Sequence, residues 1–326
     1  MTKLMLWAVS GVVTLGFLSG AQEKPSGLQK TKEISLDGGT SFDLMSVDSG
    51  AGRLYVAHSP KIDVIDLKKG EKVGEVTGVD GAHQAVAVSE VHRGFATAGQ
   101  KNRLVVFDLE TFKVTQEIET GQNPDGLLYV ASVKEVWSFN GRGKNVTCVD
   151  VATLAVKATI ALEGKPELAV EDPEKGMVYV NLEDKSAISA LNARTHEGAG
   201  THSLAPGEGP TGIAYDAKNG LLFSGCANRK LVAVSVATWK VVGSVEIGNR
   251  CDGVAFDPGT LQAFASCNDR TGGLHVKDAM TFEPLAGLET PGGKTSALDP
   301  QSHALYVASG PRRGEKGAVK ILVFTP

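Results

Sequence analysis

The amino-acid sequence predicts an all-β fold, a single seven-bladed β-propeller of four-stranded blades. Three observations lead to this prediction. A unit of 41 to 44 residues repeats seven times along the 326-residue chain. An aromatic residue returns at the same position of six units, although aromatic residues make up only 6% of the chain. Glycine is abundant, at 39 residues, which is typical of a chain with many turns and short strands.

The first 21 residues are predicted to be a signal peptide that lies outside the fold. Lys3 precedes an uncharged apolar run over residues 4–18, and Ser19-Gly20-Ala21 provides small residues for cleavage before Gln22. The run is short for a membrane span, and no later stretch approaches about 18 apolar residues. The alternative is an uncleaved N-terminal anchor. We therefore expect a periplasmic or secreted protein with a propeller domain over residues 22–326 and no transmembrane segment in its mature chain.

Each repeat is marked by the residue that opens an apolar run after a turn. The seven markers are Asp43, Gln84, Asp125, Glu167, Thr211, Asp252 and Lys294. Twelve positions after the markers stand Tyr55, Ala96, Trp137, Tyr179, Phe223, Phe264 and Tyr306. Such agreement in phase indicates a structural repeat of supersecondary units.

The short apolar runs within each unit predict four strands. Residues 231–234 and 241–245 of the fifth unit, for example, are rich in valine and bounded by polar residues. The third strands are expected to end near Asp66, Asp108 and Asp150. No segment shows apolar residues at helical spacing over ten or more positions.

The two ends of the chain predict how the ring closes. The seventh unit begins at Lys294 and stops after an apolar run over residues 319–324, one strand short of the others. Residues 28–36 precede the first marker and have no unit of their own. We expect this segment to add the outer strand of the last blade, which would cover an open sheet edge. The prediction is one domain, without internal linkers, in a monomeric protein.

Several segments resemble the YVTN repeat, whose pattern is roughly YVxN followed by VxVID. The matching segments lie at residues 54–58 with 62–66, 104–111, 146–153, 177–181 and 305–309. Over about residues 28–326 the chain is similar to secreted bacterial YVTN-repeat, YncE-like seven-bladed propellers. This resemblance implies the architecture. It does not select a function, because the broad superfamily includes binding proteins, some proposed to contact DNA, as well as lactonases and carriers of redox cofactors.

The seven markers are expected to surround one mouth of the central channel, because they lie where the innermost strands begin. Four of them, Asp43, Asp125, Glu167 and Asp252, are carboxylates. Oxygen ligands of this kind hold hard cations such as Ca²⁺, and paired carboxylates can also serve as acid and base. The alternative is that these side chains only solvate the channel entrance, and no other bound cofactor is predicted.

The loops between second and third strands open on the same face and are rich in cations. They carry twelve Lys and Arg residues against four carboxylates, whereas the whole chain has a formal charge of -4. We predict that Arg142, Arg229, Arg312 and Arg313, with the markers, bind an anionic small molecule, a glycan or a protein partner. Nucleic acid is less favoured, because the arginines do not alternate with exposed aromatic residues. The alternative is that these cations only prevent edge pairing of the hairpins.

Histidines and cysteines recur at equivalent places of different repeats. His58 and His83 stand in the same relation to their markers as Cys226 and Cys251 do, and Cys267 repeats the Cys226 position. His58 with His83 is therefore a candidate transition-metal pair at the mouth. In an oxidising compartment Cys251 could form a disulfide with Cys226 or Cys267. The alternative is that the thiols and imidazoles are ordinary core and loop groups.

Two functional hypotheses follow from these observations. The first is an exported, non-enzymatic binding or scaffold propeller that captures an anionic ligand or partner on its basic loop face. The second is a lactonase-like hydrolase, or a metal- or redox-associated propeller, that uses the acidic mouth. Walker, GxSxG, HExxH and CxxCH motifs are all missing from the sequence. The first hypothesis is therefore favoured.

Overall fold

The computed structural model of the chain describes residues 23–38, 41–278, 281–310 and 318–326. These residues form seven four-stranded antiparallel sheets, which confirms the predicted all-β propeller. The predicted signal peptide lies outside the described residues. Within the described ranges, no helix is long and apolar enough to cross a membrane.

The first described strand, β1 (Gln29–Leu36), precedes the blades. Blade 1 comprises β2 (Ser41–Asp48), β3 (Arg53–Ser59), β4 (Lys61–Asp66) and β5 (Glu71–Thr77). Blade 2 comprises β6 (Ala82–Val88), β7 (Arg93–Ala98), β8 (Arg103–Asp108) and β9 (Val114–Glu119). Blade 3 comprises β10 (Pro124–Val130), β11 (Glu135–Asn140), β12 (Asn145–Asp150) and β13 (Val156–Ala161). Blades 4 and 5 comprise β14 (Pro166–Asp172), β15 (Met177–Leu182), β16 (Ala187–Asn192) and β17 (Glu197–Ser203); and β18 (Pro210–Asp216), β19 (Leu221–Cys226), β20 (Lys230–Ser235) and β21 (Lys240–Glu246). Blades 6 and 7 comprise β22 (Gly253–Asp257), β23 (Gln262–Ser266), β24 (Arg270–Asp278) and β25 (Thr281–Glu289); and β26 (Gly293–Asp299), β27 (Ala304–Ser309), β28 (Val319–Thr325) and β1. Two single 3-10 turns, Ser89–Val91 and Glu183–Lys185, interrupt the strands.

The ring closes as the sequence predicts. Each innermost strand contacts the next, and β26 of the last blade contacts β2 of the first. The outer position of blade 7 is filled by β1, which pairs antiparallel with β28 from Gln29 opposite Thr325 to Leu36 opposite Val319. The backbone N–H of Lys24 also donates to the carbonyl of Pro284 in β25, at 2.8 Å. Lys24 and β1 thus attach to β25 of blade 6 and β28 of blade 7.

The core lies between the blades and is built from the faces of the middle strands. Its clusters each combine side chains of two adjacent blades; Trp137 and Phe139 of blade 3, for example, pack with Val178 and Val180 of blade 4. Such packing gives every blade two buried faces, so the middle strands are apolar on both sides. This packing between blades holds the channel mouth and the loops around it in fixed positions.

The strand register places the second repeat one residue away from its predicted phase. Ala85 pairs with Ala96 in blade 2 as Met45 pairs with Val56 in blade 1. The aromatic position of blade 2 is therefore held by Phe95, whose side chain is fully buried. With this correction all seven blades carry an aromatic residue at the same place in the second strand.

Candidate functional site

The channel mouth is surrounded by the residues at the starts of the innermost strands, with one correction. The strand pairing of blade 2 lies one residue before the phase predicted from the sequence, so His83 and not Gln84 is equivalent to Asp43. Gln84 instead joins two blades, since its Oε1 accepts a hydrogen bond from the backbone N–H of Leu127 in blade 3, at 2.8 Å. The sequence held a signal for this shift, since Phe95 lies twelve positions after His83. The mouth ring, as used below, is Asp43, His83, Asp125, Glu167, Thr211, Asp252 and Lys294.

Five members of the mouth ring form an arc in which acidic and basic groups alternate. Lys294 Nζ lies 3.1 Å from Asp252 Oδ2 and 3.3 Å from Asp43 Oδ1. His83 Nδ1 lies 2.7 Å from Asp43 Oδ2 and 3.5 Å from Asp125 Oδ1. The arc crosses four blade junctions in sequence, from blade 6 to blade 3. It therefore stabilises the ring electrostatically while it shapes the entrance.

The members of this arc have shifted pKa values. Burial alone would raise the pKa of Asp43, but the hydrogen bond from His83 and the charge of Lys294 outweigh it and lower the pKa. Burial would lower the pKa of His83, but the hydrogen bond to Asp43 and the charge of Asp125 raise it. Asp43 and His83 are therefore an ion pair in which each partner keeps the other charged.

Asp125, at the blade 3 end of the arc, and the neighbouring Glu167 of blade 4 have raised pKa values. Burial raises the pKa of Asp125 to about 6, and the charge of Asp43 adds to this shift against the opposing charge of His83. Burial and the charge of Asp125 raise the pKa of Glu167 to about 8, although Lys165 Nζ lies 2.6 Å from its Oε1. This side of the mouth consequently carries less negative charge near neutral pH than its composition suggests.

For the variant Asp125→Asn, the unfolding free energy minus that of the wild type is expected to increase as the pH rises. The pKa of Asp125 is raised from 3.8 to about 6 in the folded state, so its favourable contribution is complete below about pH 4 and is lost as the pH passes 6. Asparagine stays neutral, and the difference in unfolding free energy should therefore shift by up to about 3 kcal/mol between pH 4 and pH 7. Denaturant titrations across this range measure the shift. Glu119→Gln, at an exposed carboxylate of β9, should show no such trend, and a flat difference for Asp125→Asn would contradict the burial argument.

Three mouth residues could share one cation. Ligand atoms of Asp43, His83 and Asp125 all lie within 4.8 Å of one another. In the described part of the chain, neither of the two groups of this kind includes Glu167 or Asp252. Lys294 and His83 both form ion pairs with Asp43. These two side chains thus supply positive charge at the place where the sequence suggests Ca²⁺.

The structure separates the two histidines that the sequence pairs. His58 is buried, and its Nδ1 lies 2.7 Å from Oδ2 of the fully buried Asp63 within blade 1. His83 belongs to the mouth ring, and the metal-binding group around it does not contain His58. Thr211 joins two blades instead of facing a ligand, because its hydroxyl donates to the backbone carbonyl of Cys251.

The disulfide considered for Cys251 is not formed, and all four cysteines are free and buried, which is the alternative given for them. Each of the three thiols considered for it donates to a carbonyl two residues away: Cys226 to Ser224, Cys251 to Gly253 and Cys267 to Ala265. The thiols thus fill small apolar spaces in the interface between blades. Cys148 is also fully buried.

Several cations of the mouth face have an acidic partner. Lys101 pairs with Asp80, Arg103 with Glu119, Lys144 with Asp184 and Arg229 with Glu246, at 2.7 to 3.0 Å. Glu119 and Glu246 stand at the ends of the fourth strands β9 and β21, which also reach the mouth face. The charge balance predicted from the sequence counts only the loops between second and third strands, so it leaves these carboxylates out. Arg312 and Arg313 lie outside the described residues.

Arg142 differs from these paired cations. It is exposed, and among the described residues it forms no ion pair with a carboxylate. It lines a polar groove of about 310 Å³ between blades 2 and 3, which we call the amide groove. The groove is formed by Gly99, Gln100, Asn102, Gln122, Asn123 and Arg142.

The floor of the amide groove adjoins the mouth ring. A Cβ atom on Gly99 would come within 2.6 Å of His83 Nε2 and 3.3 Å of Asn123 Oδ1, so only glycine fits without displacing these groups. Asn102 and Asn123 both adopt positive φ angles, at 54°. Asn102 Oδ1 accepts a hydrogen bond from the backbone of Asn123, at 2.8 Å, which fixes one wall of the groove.

The opposite end of the channel has a different character. A cavity of about 500 Å³ lies between the innermost strands of blades 3 to 7. Apolar side chains such as Leu128, Val170, Phe256 and Leu298 contribute most of its lining. The channel therefore runs from a charged mouth to an apolar end.

Seven four-stranded blades around this channel define the class of protein, a seven-bladed β-propeller. No protein-family model matches the chain. It is 24% identical over 226 residues to the uncharacterized protein YncE of Salmonella typhi, and equally to that of Salmonella typhimurium strain LT2. The match covers 65% of this chain and spans 61% of the length of these curated relatives. Together with the seven-bladed ring, this similarity supports the YncE-like propeller family that the repeats predict.

Proposed function

We propose that this protein is an exported, non-enzymatic binding or scaffold propeller that captures an anionic ligand in the amide groove. The single observation that carries the proposal is the guanidinium of Arg142, exposed beside the groove without an acidic partner among the described residues. The export component rests on residues 1–21, whose pattern is that of a signal peptide.

The chemistry of the groove favours a ligand that combines a carboxylate or other anionic group with hydroxyl groups. Arg142 offers a planar donor fork that matches a carboxylate or phosphate. Gln100, Asn102, Gln122 and Asn123 offer both donors and acceptors, as hydroxyl groups of a sugar require. An acidic carbohydrate meets both conditions, so we take it as the ligand class.

The paired cations elsewhere on the mouth face support the choice of this groove. Arg103 and Arg229 would have to give up Glu119 and Glu246 before they could bind an external anion. Arg142 needs no such exchange. An anion that approaches the junction of blades 2 and 3 therefore meets a guanidinium that it need not first separate from a carboxylate.

Arg142→Glu is expected to weaken binding of digalacturonate by at least tenfold. A charge-assisted hydrogen bond contributes about 1.5–3 kcal/mol, and 1.4 kcal/mol corresponds to tenfold in affinity. Isothermal titration calorimetry measures the effect, with neutral maltose as a ligand that should bind far more weakly to the wild type.

Arg194→Glu is the matched control, because it makes the same charge change at an exposed arginine of the opposite face. This variant should bind digalacturonate as the wild type does. Equal binding by wild type and Arg142→Glu would overturn the assignment of the groove. Failure of the wild type to bind digalacturonate would reject the acidic carbohydrate class.

A further inference from the structure

A second group of side chains that could hold a metal ion lies at the end of the propeller opposite the mouth ring. It consists of Glu135 and Cys148 of blade 3 and His196 of blade 4, whose ligand atoms all lie within 4.8 Å of one another. Glu135 is 5% exposed and Cys148 is fully buried, while the side chain of His196 is 20% exposed. Oxygen, sulfur and nitrogen ligands thus meet at one blade junction, with access from the side of His196.

The contacts of Glu135 fix the geometry of this group. His196 Nε2 lies 2.8 Å from Glu135 Oε2, and Trp137 Nε1 donates to the same oxygen at 2.9 Å. The ring centroids of Trp137 and His196 are 5.8 Å apart. Cys148 stands opposite Trp137 in the pairing of β11 with β12, so its thiol lies on the same face as Glu135. All three groups therefore point into the interface with blade 4.

The other blades provide an internal comparison for Glu135 and Cys148. The strand register makes Glu135 equivalent to Arg53, Arg93, Met177, Leu221, Gln262 and Ala304. The same register makes Cys148 equivalent to Val64, Val106, Ala190, Ala233, Gly273 and Val323. The fold thus needs neither a carboxylate nor a thiol at these places.

The position of His196 is likewise occupied by other residue types in the other blades. Its backbone N–H closes a turn to Asn192, and the same turn ends on Gly70, Phe112, Leu154 and Trp239 in blades 1, 2, 3 and 5. In blade 1, Arg53 instead reaches the corresponding turn of the next blade and lies over the ring of Phe112, 5.1 Å from its centroid. Only at the junction of blades 3 and 4, among those described, do the three positions supply a carboxylate, a thiol and an imidazole together.

We propose that Glu135, Cys148 and His196 form a binding site for a divalent transition-metal ion of the zinc class. Zinc is bound by thiolate, imidazole and carboxylate ligands, and three protein ligands leave one coordination position open. On binding, the Cys148 thiol gives its proton to solvent, and the proton of His196 resides on Nδ1 so that Nε2 can bind the ion. Trp137 is a positioning residue, because its N–H holds the carboxylate of Glu135 toward the other two ligands.

Cobalt(II) binding to the untagged full-length chain tests this proposal. The metal-free protein should take up one equivalent of Co²⁺ with a near-ultraviolet charge-transfer band from the Cys148 thiolate, and Zn²⁺ should displace it. Cys148→Ala, which introduces the residue found at the same place in blades 4 and 5, should abolish the band. His196→Leu, which introduces the residue of blade 3, should weaken Zn²⁺ binding by more than about tenfold.

Cys226→Ser is the matched control, since it removes a buried thiol remote from this junction and should leave the band unchanged. Cobalt bound at Asp43, His83 and Asp125 would give no such band, because that group lacks sulfur. Thermal unfolding with a chelator present checks that the variants fold. A charge-transfer band that persists in Cys148→Ala, or a wild type that takes up neither ion at micromolar concentration, would overturn the proposal.

Discussion

Deletion of the segment that ends with β1 is expected to prevent stable folding of the propeller. β1 covers the edge of β28 along seven residue pairs, from Gln29 opposite Thr325 to Leu36 opposite Val319. Ile34 and Leu36 are buried against Ile321 and Val323. Without this strand an apolar edge with unpaired backbone groups faces solvent, which favours aggregation. A chain that starts at residue 38 should accumulate as aggregates or lose its cooperative thermal transition.

Two further samples separate loss of pairing from loss of chain length. A chain that starts at Glu23 keeps β1 and should unfold with the wild-type midpoint. A synthetic peptide of residues 28–37, added during refolding of the chain that starts at residue 38, should restore a cooperative transition. A truncated chain that is monomeric and equally stable without the peptide would contradict the closure by β1.

Alanine in place of Asp63 is expected to lower the unfolding free energy by about 3–5 kcal/mol. Asp63 is fully buried, and its Oδ2 lies 2.7 Å from His58 Nδ1. Its Oδ1 lies 2.7 Å from Lys72 Nζ and 3.0 Å from Lys61 Nζ. Its removal leaves positive groups in blade 1 without their buried counterion. The midpoint of thermal unfolding should fall by about 10 °C. Glu75→Ala, which removes an exposed carboxylate of the same network, should cost less than about 1 kcal/mol.

The same network predicts how acid affects stability. Burial alone would raise the pKa of Asp63, but the hydrogen bond from His58 and the ion pairs with Lys72 and Lys61 lower it from 3.8 to about 2. Its stabilising contribution is therefore complete above about pH 4 and is lost as the pH falls through 2. The advantage of wild type over Asp63→Asn should shrink by about 2 kcal/mol between about pH 5 and pH 1. An advantage that is constant over this range would contradict the ionised state of Asp63.

The architecture could be predicted from the sequence because each blade repeats the same local pattern. Aromatic residues of the second strands, such as Trp137 and Phe223, recur in phase and mark every blade. The closure by β1 followed from a missing strand at the end of the chain. These features depend on local periodicity and on counting strands, both of which a single sequence records.

The candidate sites were less predictable, because they depend on register and on contacts between blades. The first hairpins of blades 1 and 2 share one register, and this register places His83, and not Gln84, in the mouth ring. Glu135 and His196 are 61 positions apart and meet only through the packing of two blades. Spacing within a repeat contains no information about such a contact. The charge of the mouth face likewise depends on fourth-strand carboxylates such as Glu119, which neutralise neighbouring hairpins.

The pairing of β1 with β28 also determines when the molecule can be completed. The hydroxyl of Thr31 reaches the carbonyl of Val323, 292 positions later in the chain. β1 therefore stays without its partner until β28 has been synthesised. During that interval the exposed backbone groups of β1 are open to pairing with wrong partners. A late stop codon that removes only the last few residues would harm this protein as much as loss of its beginning.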